Sequence, residues 1–364
     1  MSTPMTTTWD MEPHTEAKHR ILREWWNGWL PILATHQNRT IYFEGFAGPG
    51  TYTNGKPGSP VVVIRATLDH VHRSRFEVKE VIFFLVEERE DRAERLRNEI
   101  HRRCPKIPKS WAVEVKQADF VKTLEPVLAG LEKRGAKLAP RFAFLDPFGF
   151  KDLPMDLVTR LLAYRWCDVL ITFMARDINR FAEEPHHTEA IDRCLGRDDW
   201  REELPEGAEP RRAFFIKAYE NEIRRRVTEA HVRSFEMIGR AGPVYYLVGA
   251  TKHKEGVRVM KRAMWTADPT GNYRFSDRTA GQNTLLQWAD EPAWAKTAAD
   301  QTYARFAERR VVIGDVETFV LYETPCEFKK RAILGTLEED GRIVDVRPRA
   351  RRGTWPDGCT IEFR

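Results

Sequence analysis

The sequence has no closely spaced cysteines and no long apolar run, and each absence excludes a class of protein. Its five cysteines, at positions 104, 167, 194, 326 and 359, are far apart, so no Cys-x-x-Cys zinc or redox motif exists. An odd number of cysteines in a large chain favours a reducing compartment. No apolar run approaches membrane-spanning length, and the amino terminus has no charged segment followed by an apolar one. We therefore expect a cytoplasmic protein without membrane contact, whose residues 1 to about 13 form a flexible tail.

Other signatures are missing as well. The chain has no phosphate-binding GxxxxGK[ST] loop. His186, His187 and His253 lack partners at metal-ligand spacing, which predicts no metal site. A net charge of +5, from 59 basic and 54 acidic residues, permits nucleic-acid binding without requiring it. The length of 364 residues favours a core domain with an accessory unit.

The most informative stretch present is the apolar run that ends at Glu44 and continues into Gly45, Gly48 and Gly50. Small residues let the main chain approach a ligand and permit turns with positive φ. This pattern predicts the end of a parallel strand that contacts a nucleotide-like ligand, although an ordinary strand–loop junction is the alternative.

Predicted strands and helices alternate through the first two thirds of the chain, after a Trp-rich helix from about Thr15 to Thr35. We expect this helix to pack on the sheet, with a contribution of Lys18 or His19 to a pocket as the alternative. Two further strands flank a glycine-containing turn and predict an edge hairpin. The order predicts an α/β fold: a doubly wound, Rossmann-type sheet like that of class I S-adenosylmethionine (SAM) methyltransferases. The seven strands are predicted at Ile41–Glu44, Glu80–Val86, Val113–Gln117, Arg141–Leu145, Asp168–Phe173, His231–Ile238 and Val244–Ala250.

Acidic residues follow the first three strands, where ligands of open α/β sheets bind. Glu44 can bind the ammonium group of SAM. One of Glu87 and Glu88 is predicted to bind the ribose hydroxyls, while the other begins a charged helix. Asp119 can accept the adenine amino group beside a stacking Phe120, or it can cap the next helix. This ordered series predicts SAM as the cofactor.

The fourth strand ends in Asp146-Pro147-Phe148-Gly149-Phe150. In enzymes that methylate amino groups, an acid at this position accepts hydrogen bonds from the target nitrogen, and an aromatic ring stacks on the flipped base. We predict Asp146 and Phe148 as catalytic residues, with a plain strand end and turn as the alternative.

Three parts are predicted along the chain: a methyltransferase-like domain (1–265), a connector (266–297) and a C-terminal domain (298–364). The first contains a polar insertion at about 175–210, expected over the ligand edge of the sheet. Residues just after the fifth strand can line the substrate cleft: Arg176, Asp177, Asn179 and Arg180. Ser59, followed by a proline, is predicted to cap the helix that follows the first strand.

The C-terminal domain has a winged-helix pattern. A short helix precedes a capping box at Thr324–Glu327, which predicts a helix to about Asp340. A strand pair then flanks a basic tip. Basic side chains of the helix and tip suit phosphate contacts, and a solvated face or a protein-contact module is the alternative. They are Lys329, Lys330, Arg331, Arg347, Arg349, Arg351 and Arg352.

In combination, these motifs resemble the three-Cys-motif partner protein (TcmP) family. The resemblance covers about residues 15–265 and extends into the C-terminal domain. It implies a methyltransferase-like fold, a bacterial or phage origin and a separate partner with three clustered cysteines, of radical-SAM or DNA-repair-like type. It is carried by Phe43–Tyr52 with Gly55 and Pro57–Pro60, by Leu145–Phe150, by Asn179-Arg180, and by Tyr246–His253.

The first-strand motif and the Asp-Pro-Phe turn are also similar to the 23S rRNA adenine-N6 methyltransferase RlmJ. That family has an Asp-Pro-Pro-Tyr turn, whereas Phe148 and Gly149 occupy its last two positions here. A stacking role would therefore pass to Phe148 or Phe150. Together these patterns predict SAM-dependent methyl transfer to a nucleic-acid base, with a non-catalytic SAM- or nucleic-acid-binding partner of the three-Cys protein as the alternative.

Overall fold

The computed structural model describes residues 6–76, 79–268, 271–278 and 293–364. The chain divides into two compact units. The core unit comprises Met1–Val259 and Phe275–Ala280, and the C-terminal unit comprises Met260–Arg274 and Gly281–Arg364. Of the predicted connector, residues 269–270 and 279–292 lie outside the described residues. No helix in the described ranges is long and apolar enough to cross a membrane.

An eight-stranded sheet forms the centre of the core unit. Its strands are β1 (Arg39–Glu44), β2 (Glu80–Glu87), β3 (Ala112–Gln117), β4 (Arg141–Leu145), β5 (Cys167–Phe173), β6 (His231–Gly239), β7 (Gly242–Thr251) and β8 (Arg274–Ser276). They lie in the order β3-β2-β1-β4-β5-β7-β6-β8. Strands β1 to β5 pair in parallel, and β7 is antiparallel to both β5 and β6. This arrangement confirms the predicted class I methyltransferase-like sheet with an edge hairpin. The short β8 was not predicted.

The burial of the strands explains why the sequence was sufficient to predict them. β4 and β5 are buried at every position, as expected for central strands of a parallel sheet covered on both faces. β3 lies at the edge and alternates between exposed and partly buried residues. Continuous apolar runs therefore indicated the central strands, and alternation of more and less exposed residues indicated the edge strand.

Ten helices accompany this sheet in the described part of the chain. They are α1 (Pro13–His36), α2 (Ser59–Leu68), α3 (Arg73–Phe76), α4 (Glu90–Arg103), α5 (Phe120–Lys133), α6 (Met155–Ala163), α7 (Ala175–Phe181), α8 (Thr188–Leu195), α9 (Ala208–Arg226) and α10 (Lys254–Ala267). In α1, Trp25 and Trp26 are completely buried. Trp25 meets Phe142 of β4 edge-on at 5.2 Å, and Trp26 Nε1 donates to Thr67 Oγ1 of α2 at 2.7 Å. The Trp-rich helix packs on the sheet, as predicted.

The insertion at about 175–210 differs from its prediction. It folds into α7, α8 and two short 3₁₀ turns, and Ile178, Ile191 and Trp200 are fully buried. These side chains belong to the same apolar core as α5, α6 and α9. The segment thus contributes to the core, because a few well-spaced apolar residues outweigh its polar composition. Its position over the ligand edge of the sheet stays a prediction.

The C-terminal unit has its own apolar core. Its elements after residue 292 are α11 (Ala293–Phe306), β9 (Arg310–Val312), α12 (Ile313–Glu323), a π-helical turn (Arg331–Gly335), α13 (Thr336–Glu339), β10 (Ile343–Arg347) and β11 (Thr360–Phe363). The three strands form an antiparallel sheet in the order β10-β11-β9. The predicted strand pair is present.

The predicted capping box at Thr324–Glu327 is wrong. The Thr324 hydroxyl donates to Val320 O and accepts from Cys326 N, so this residue ends α12. Regular helix resumes only at Lys330. The buried ammonium of Lys261 also donates to the carbonyl of Thr324, as well as to two carbonyls of α12. The end of α12 is therefore closed by a side chain distant in sequence, which the local pattern could not indicate.

Candidate functional site

A cavity of about 180 Å³ lies at the carboxyl ends of β1 and β4 in the core unit. The turn after β1, the Asp146–Phe148 turn after β4, the start of α1 and the preceding residues from Trp9 form most of its wall, with Tyr245 of β7. The cavity sits where the chain order of the sheet reverses, between β1 and β4, which is the usual ligand position in open α/β sheets.

The backbone conformation and close packing of the turn after β1 require its glycines. Gly48 and Gly50 have φ of +65° and +73°, a region that side chains rarely adopt. Gly58 N donates to Gly50 O at 2.8 Å, and a Cβ on Gly58 would lie 2.9 Å from the Gly50 Cα. Gly45 lies against Phe120, where a Cβ would approach the ring to 2.5 Å. Gly48 and Gly50 line the cavity, whereas Gly45 packs behind it.

Glu44 lies beneath this turn and is completely buried. Its two oxygens accept hydrogen bonds from Ser59 Oγ at 2.5 Å and from Tyr42 Oη at 2.7 Å. Burial raises the pKa of Glu44 to about 8, although both hydrogen bonds and Lys18 oppose this shift. Ser59 is the first residue of α2 rather than its cap, since Gly58 takes that position and the Ser59 hydroxyl donates to Glu44. Glu44 does not line the cavity.

The structure distinguishes Glu87 from Glu88. Glu87 is 6% exposed and accepts hydrogen bonds from Gly48 N at 2.9 Å and Arg89 N at 3.0 Å. Burial raises the pKa of its carboxyl above the ordinary range, and these two hydrogen bonds partly oppose the shift. Glu88 is exposed. Glu87 is therefore the carboxylate that faces the glycine turn.

Asp119 caps α5, one of the two alternatives taken from the sequence, because Asp119 Oδ1 accepts from Lys122 N at 2.7 Å. Phe120 is 3% exposed and packs against Phe46 with ring centres 4.9 Å apart. Neither Asp119 nor Phe120 lines the cavity, so the adenine contacts assigned to them stay a prediction.

Asp146 forms an ion pair with Lys18, with Nζ and Oδ2 2.5 Å apart. Lys18 is 6% exposed, and its Nζ also lies 5.2 Å from the ring centre of Tyr245. Burial, followed by the charge of Lys18, lowers the pKa of the adjacent His19 to about 3, so that imidazole is neutral. The sequence offered a contribution of Lys18 to a pocket only as the alternative to packing of its helix on the sheet. It does not show that α1 meets the end of β4.

A second pair lies one turn earlier on α1. His14 Nδ1 and Asp277 Oδ2 are 2.8 Å apart, and His14 lines the cavity. Tyr245 Oη donates to the backbone carbonyl of His14 at 3.4 Å. Sequence reasoning missed this pair. His14 and Lys18 are four residues apart on one helix face, which was the only available signal.

Phe148 is partly buried and meets the indole of Trp9 edge-on at 5.3 Å. The guanidinium of Arg92 lies over both rings, 4.9 Å from that of Trp9 and 5.3 Å from that of Phe148. Residues 6–12 are thus held against the cavity, whereas the sequence predicted a flexible tail up to about residue 13. Residues 1–5 lie outside the described ranges.

The four predicted cleft residues after β5, Arg176, Asp177, Asn179 and Arg180, do not line the cavity.

Acidic neighbours surround most of the predicted phosphate-binding side chains of the C-terminal unit. Arg349 and Arg352 contact Glu338, at 2.5 and 3.6 Å, and Arg347 pairs with Asp345. Lys330 pairs with Asp357, and Lys329 lies 3.6 Å from Glu327. Arg331 and Arg351 are exposed. The basic tip therefore carries less uncompensated charge than its composition indicates.

No family model matches this chain, and no curated protein matches it. Several solved structures are similar to it at low identity. An O-methyltransferase from Bacillus cereus in complex with S-adenosylhomocysteine (SAH) is 13% identical with a TM-score of 0.35, over 67% of this chain and 83% of that one. The O-methyltransferase TomG from Streptomyces achromogenes, in complex with SAM, is 13% identical with a TM-score of 0.35, over 68% and 92%. A Legionella pneumophila protein of the DUF519 family is 12% identical with a TM-score of 0.39, over 64% and 84%. Similarity at this level does not extend to the chemistry of the site.

The buried carboxyl of Glu44 predicts a pH-dependent stability. In the unfolded chain it ionises near its ordinary pKa of 4.5, whereas in the folded protein it keeps its proton up to about pH 8. Its contribution to stability is complete below about pH 4.5 and is lost as the pH rises towards 8. Glu44→Gln cannot ionise and keeps polar partners for both hydroxyls. We expect wild type to lose on the order of a few kcal/mol relative to this variant between pH 5 and 8, measured by urea denaturation.

Glu88→Gln, a change of an exposed carboxylate, is the matched control and should follow the wild-type pH profile. Parallel profiles for wild type and Glu44→Gln would show that Glu44 is ionised in the folded protein throughout this range.

Proposed function

We propose that the core unit binds SAM and transfers its methyl group to an amino group of a nucleic-acid base. The observation that carries this proposal is that the Gly48–Gly50 turn and Asp146 line one cavity at the carboxyl edge of the sheet, while Glu87, which does not line it, accepts a hydrogen bond from the turn at Gly48 N. Turns of small residues and a carboxylate after the second strand are the features by which such folds bind nucleosides.

The cofactor would lie along the glycine turn. Gly48 and Gly50 offer backbone without side chains, so a ligand can approach closely. Glu87 accepts a hydrogen bond from Gly48 N of the same turn, so its carboxylate would be the candidate acceptor for the ribose hydroxyls. Glu44 would act indirectly, because it supports the turn through Ser59 and does not reach the cavity.

Asp146 would hold the target amino group. Lys18 contacts its Oδ2, which leaves Oδ1 as an acceptor for an N–H of the base. SAM supplies an electrophilic methyl group on a sulfonium. A hydrogen bond to Asp146 Oδ1 would aim the nitrogen lone pair at that methyl, and the carboxylate lies within reach of the proton that the nitrogen must lose.

We also propose that the chain belongs to the TcmP family, with a three-Cys-motif protein as its partner, and that the C-terminal unit is a winged helix that contacts nucleic acid. The alternation of helices and strands and the β10-β11-β9 order support the winged helix. Exposed Arg331 and Arg351 are its best candidates for phosphate contacts.

A second candidate function is a non-catalytic partner that binds SAM or nucleic acid. Two observations favour it: the ring of Phe148, assigned to base stacking, packs against Trp9, and Arg349 of the basic tip is held by Glu338. Binding without turnover would then be the outcome of the experiments below.

Calorimetry with SAH tests the cofactor. Glu87→Gln should weaken SAH binding roughly tenfold, because a neutral amide is a poorer acceptor for the ribose hydroxyls than a carboxylate. Glu88→Gln is the matched control, since it changes the neighbouring exposed carboxylate and should bind like wild type. Equal weakening by both variants, or binding of NAD with no binding of SAH, would contradict the assignment.

Radiolabelled methyl transfer to DNA, RNA and partner protein tests the chemistry. Asp146→Asn should lower the rate at least about 100-fold, because an amide oriented by Lys18 presents its NH₂ group to the substrate. SAH affinity should stay near the wild-type value. Asn is preferred to Ala because removal of the carbonyl group would leave the Lys18 ammonium buried without a partner. Full activity of Asp146→Asn would remove Asp146 from the catalytic site.

The salt dependence of DNA binding tests the C-terminal unit. Each phosphate contact contributes a slope of about −0.9 in a plot of log affinity against log salt concentration. Replacing Arg331 and Arg351 by Ser should therefore reduce the slope by up to about 1.8, with little change in sequence preference. Arg305→Ser, a change of an exposed arginine outside the predicted interface, is the control. An unchanged slope in the double variant would place the nucleic-acid contacts elsewhere.

A further inference from the structure

Residues 6–12, here called the N-terminal strap, cross the candidate site. Trp9 O accepts a hydrogen bond from Thr53 N at 3.0 Å, and the Asp10 carboxylate accepts from the Thr53 hydroxyl. At the other end, Arg92 Nη2 donates to Thr6 O at 2.9 Å. The strap is thus tied to the loop after the glycine turn and to the start of α4.

The indole of Trp9 covers the glycine turn. Its Cη2 lies 3.8 Å from the position that a Cβ on Gly48 would take, which is van der Waals contact. The ring meets Tyr52 and Phe148 edge-on, with centres 5.9 and 5.3 Å apart, under the Arg92 guanidinium. Aromatic and cation–π contacts of this kind are attractive, so they hold the indole over the turn. The backbone surface that a nucleoside would touch is therefore occupied by a side chain.

The remaining space supports the same conclusion. The cavity measures about 180 Å³ with the strap in place. Pockets that hold drug-sized ligands measure roughly 300–1,000 Å³, and SAM, a nucleoside joined to an amino acid, falls within that size class. With the strap in place, the cavity is therefore smaller than the pockets that hold ligands of this size.

We propose that the strap is an autoinhibitory cover: Trp9 occupies part of the cofactor site, and SAM binds only after the strap withdraws. This inference rests on the proposed function, because it takes SAM as the ligand of the glycine turn. Withdrawal of Trp9 exposes Gly48 and removes the edge-on contact of Phe148, so cofactor binding and access of an aromatic substrate are linked to one movement.

Calorimetry with SAH on the full-length chain tests the cover. When a protein is binding-competent only in a minor state, populated at roughly 1–10%, its apparent affinity is reduced by that fraction. Trp9→Ala should therefore bind SAH roughly 10- to 100-fold more tightly than wild type. Thr8→Ala, a change in the neighbouring residue of the strap, should bind like wild type. Equal or weaker binding by Trp9→Ala would overturn the proposal, since the indole would then be neutral or would form a wall of the site.

Hydrogen exchange of the Thr53 amide gives a second readout, because this N–H is bonded to Trp9 O. Saturating SAH should speed its exchange in the wild-type protein. Slower exchange would overturn the proposal, because it would mean that the strap closes over the cofactor. If neither wild type nor Trp9→Ala binds SAH, the proposed cofactor is wrong and the inference fails with it, whereas equal SAH binding by the two proteins refutes the cover alone.

Discussion

The ion pair between Lys18 and Asp146 connects the amino-terminal part of the chain to the carboxyl edge of the sheet, where the cavity lies. Removal of one partner from a buried pair typically costs about 3–5 kcal/mol, because the remaining charge stays desolvated. Lys18 is 6% exposed and the Asp146 side chain is 21% exposed, so this cost applies to the loss of Asp146, which would leave the Lys18 ammonium desolvated. By holding α1 against the end of β4, the pair also places His14 and the strap at the cavity. The composition of the site therefore depends on a helix that lies outside the parallel sheet motif.

Local patterns were sufficient for the sheet but not for the site. Strands β1 to β7 were predicted within two residues at each end, because apolar runs and glycine-rich turns are short-range signals. The contacts that complete the site are long-range: Lys18 is 128 residues from Asp146, and His14 is 263 residues from Asp277. A single sequence carries no signal for such pairs. The strap was missed for the same reason, since its short polar segment is ordered only by residues that lie far away in the chain.

The two errors at helix starts have one physical cause. Ser59 and Thr324 both look like caps, since a hydroxyl precedes helix-forming residues. In the fold, each hydroxyl serves a different group: Ser59 donates to the buried Glu44, and Thr324 donates to the preceding helix at Val320 O. Asp119 shows the contrasting case, because its carboxylate accepts from Lys122 N and so caps α5, as one alternative predicted. Whether such a side chain caps a helix thus depends on which hydrogen-bond partner the fold brings to it.

Of the carboxylates that line the cavity, one is already paired with a basic side chain, and this limits what can drive ligand binding. Asp146 contacts Lys18, whereas Asp10 and Glu12 belong to the strap. If the strap withdraws, a cationic sulfonium entering this site meets a carboxylate whose charge Lys18 already compensates, so it gains little net Coulomb energy from it. Affinity would then have to come from backbone and aromatic contacts along the glycine turn, which is the surface that Trp9 covers. A residue that competes for that surface should therefore change the affinity for the ligand more than any single charge in the site does.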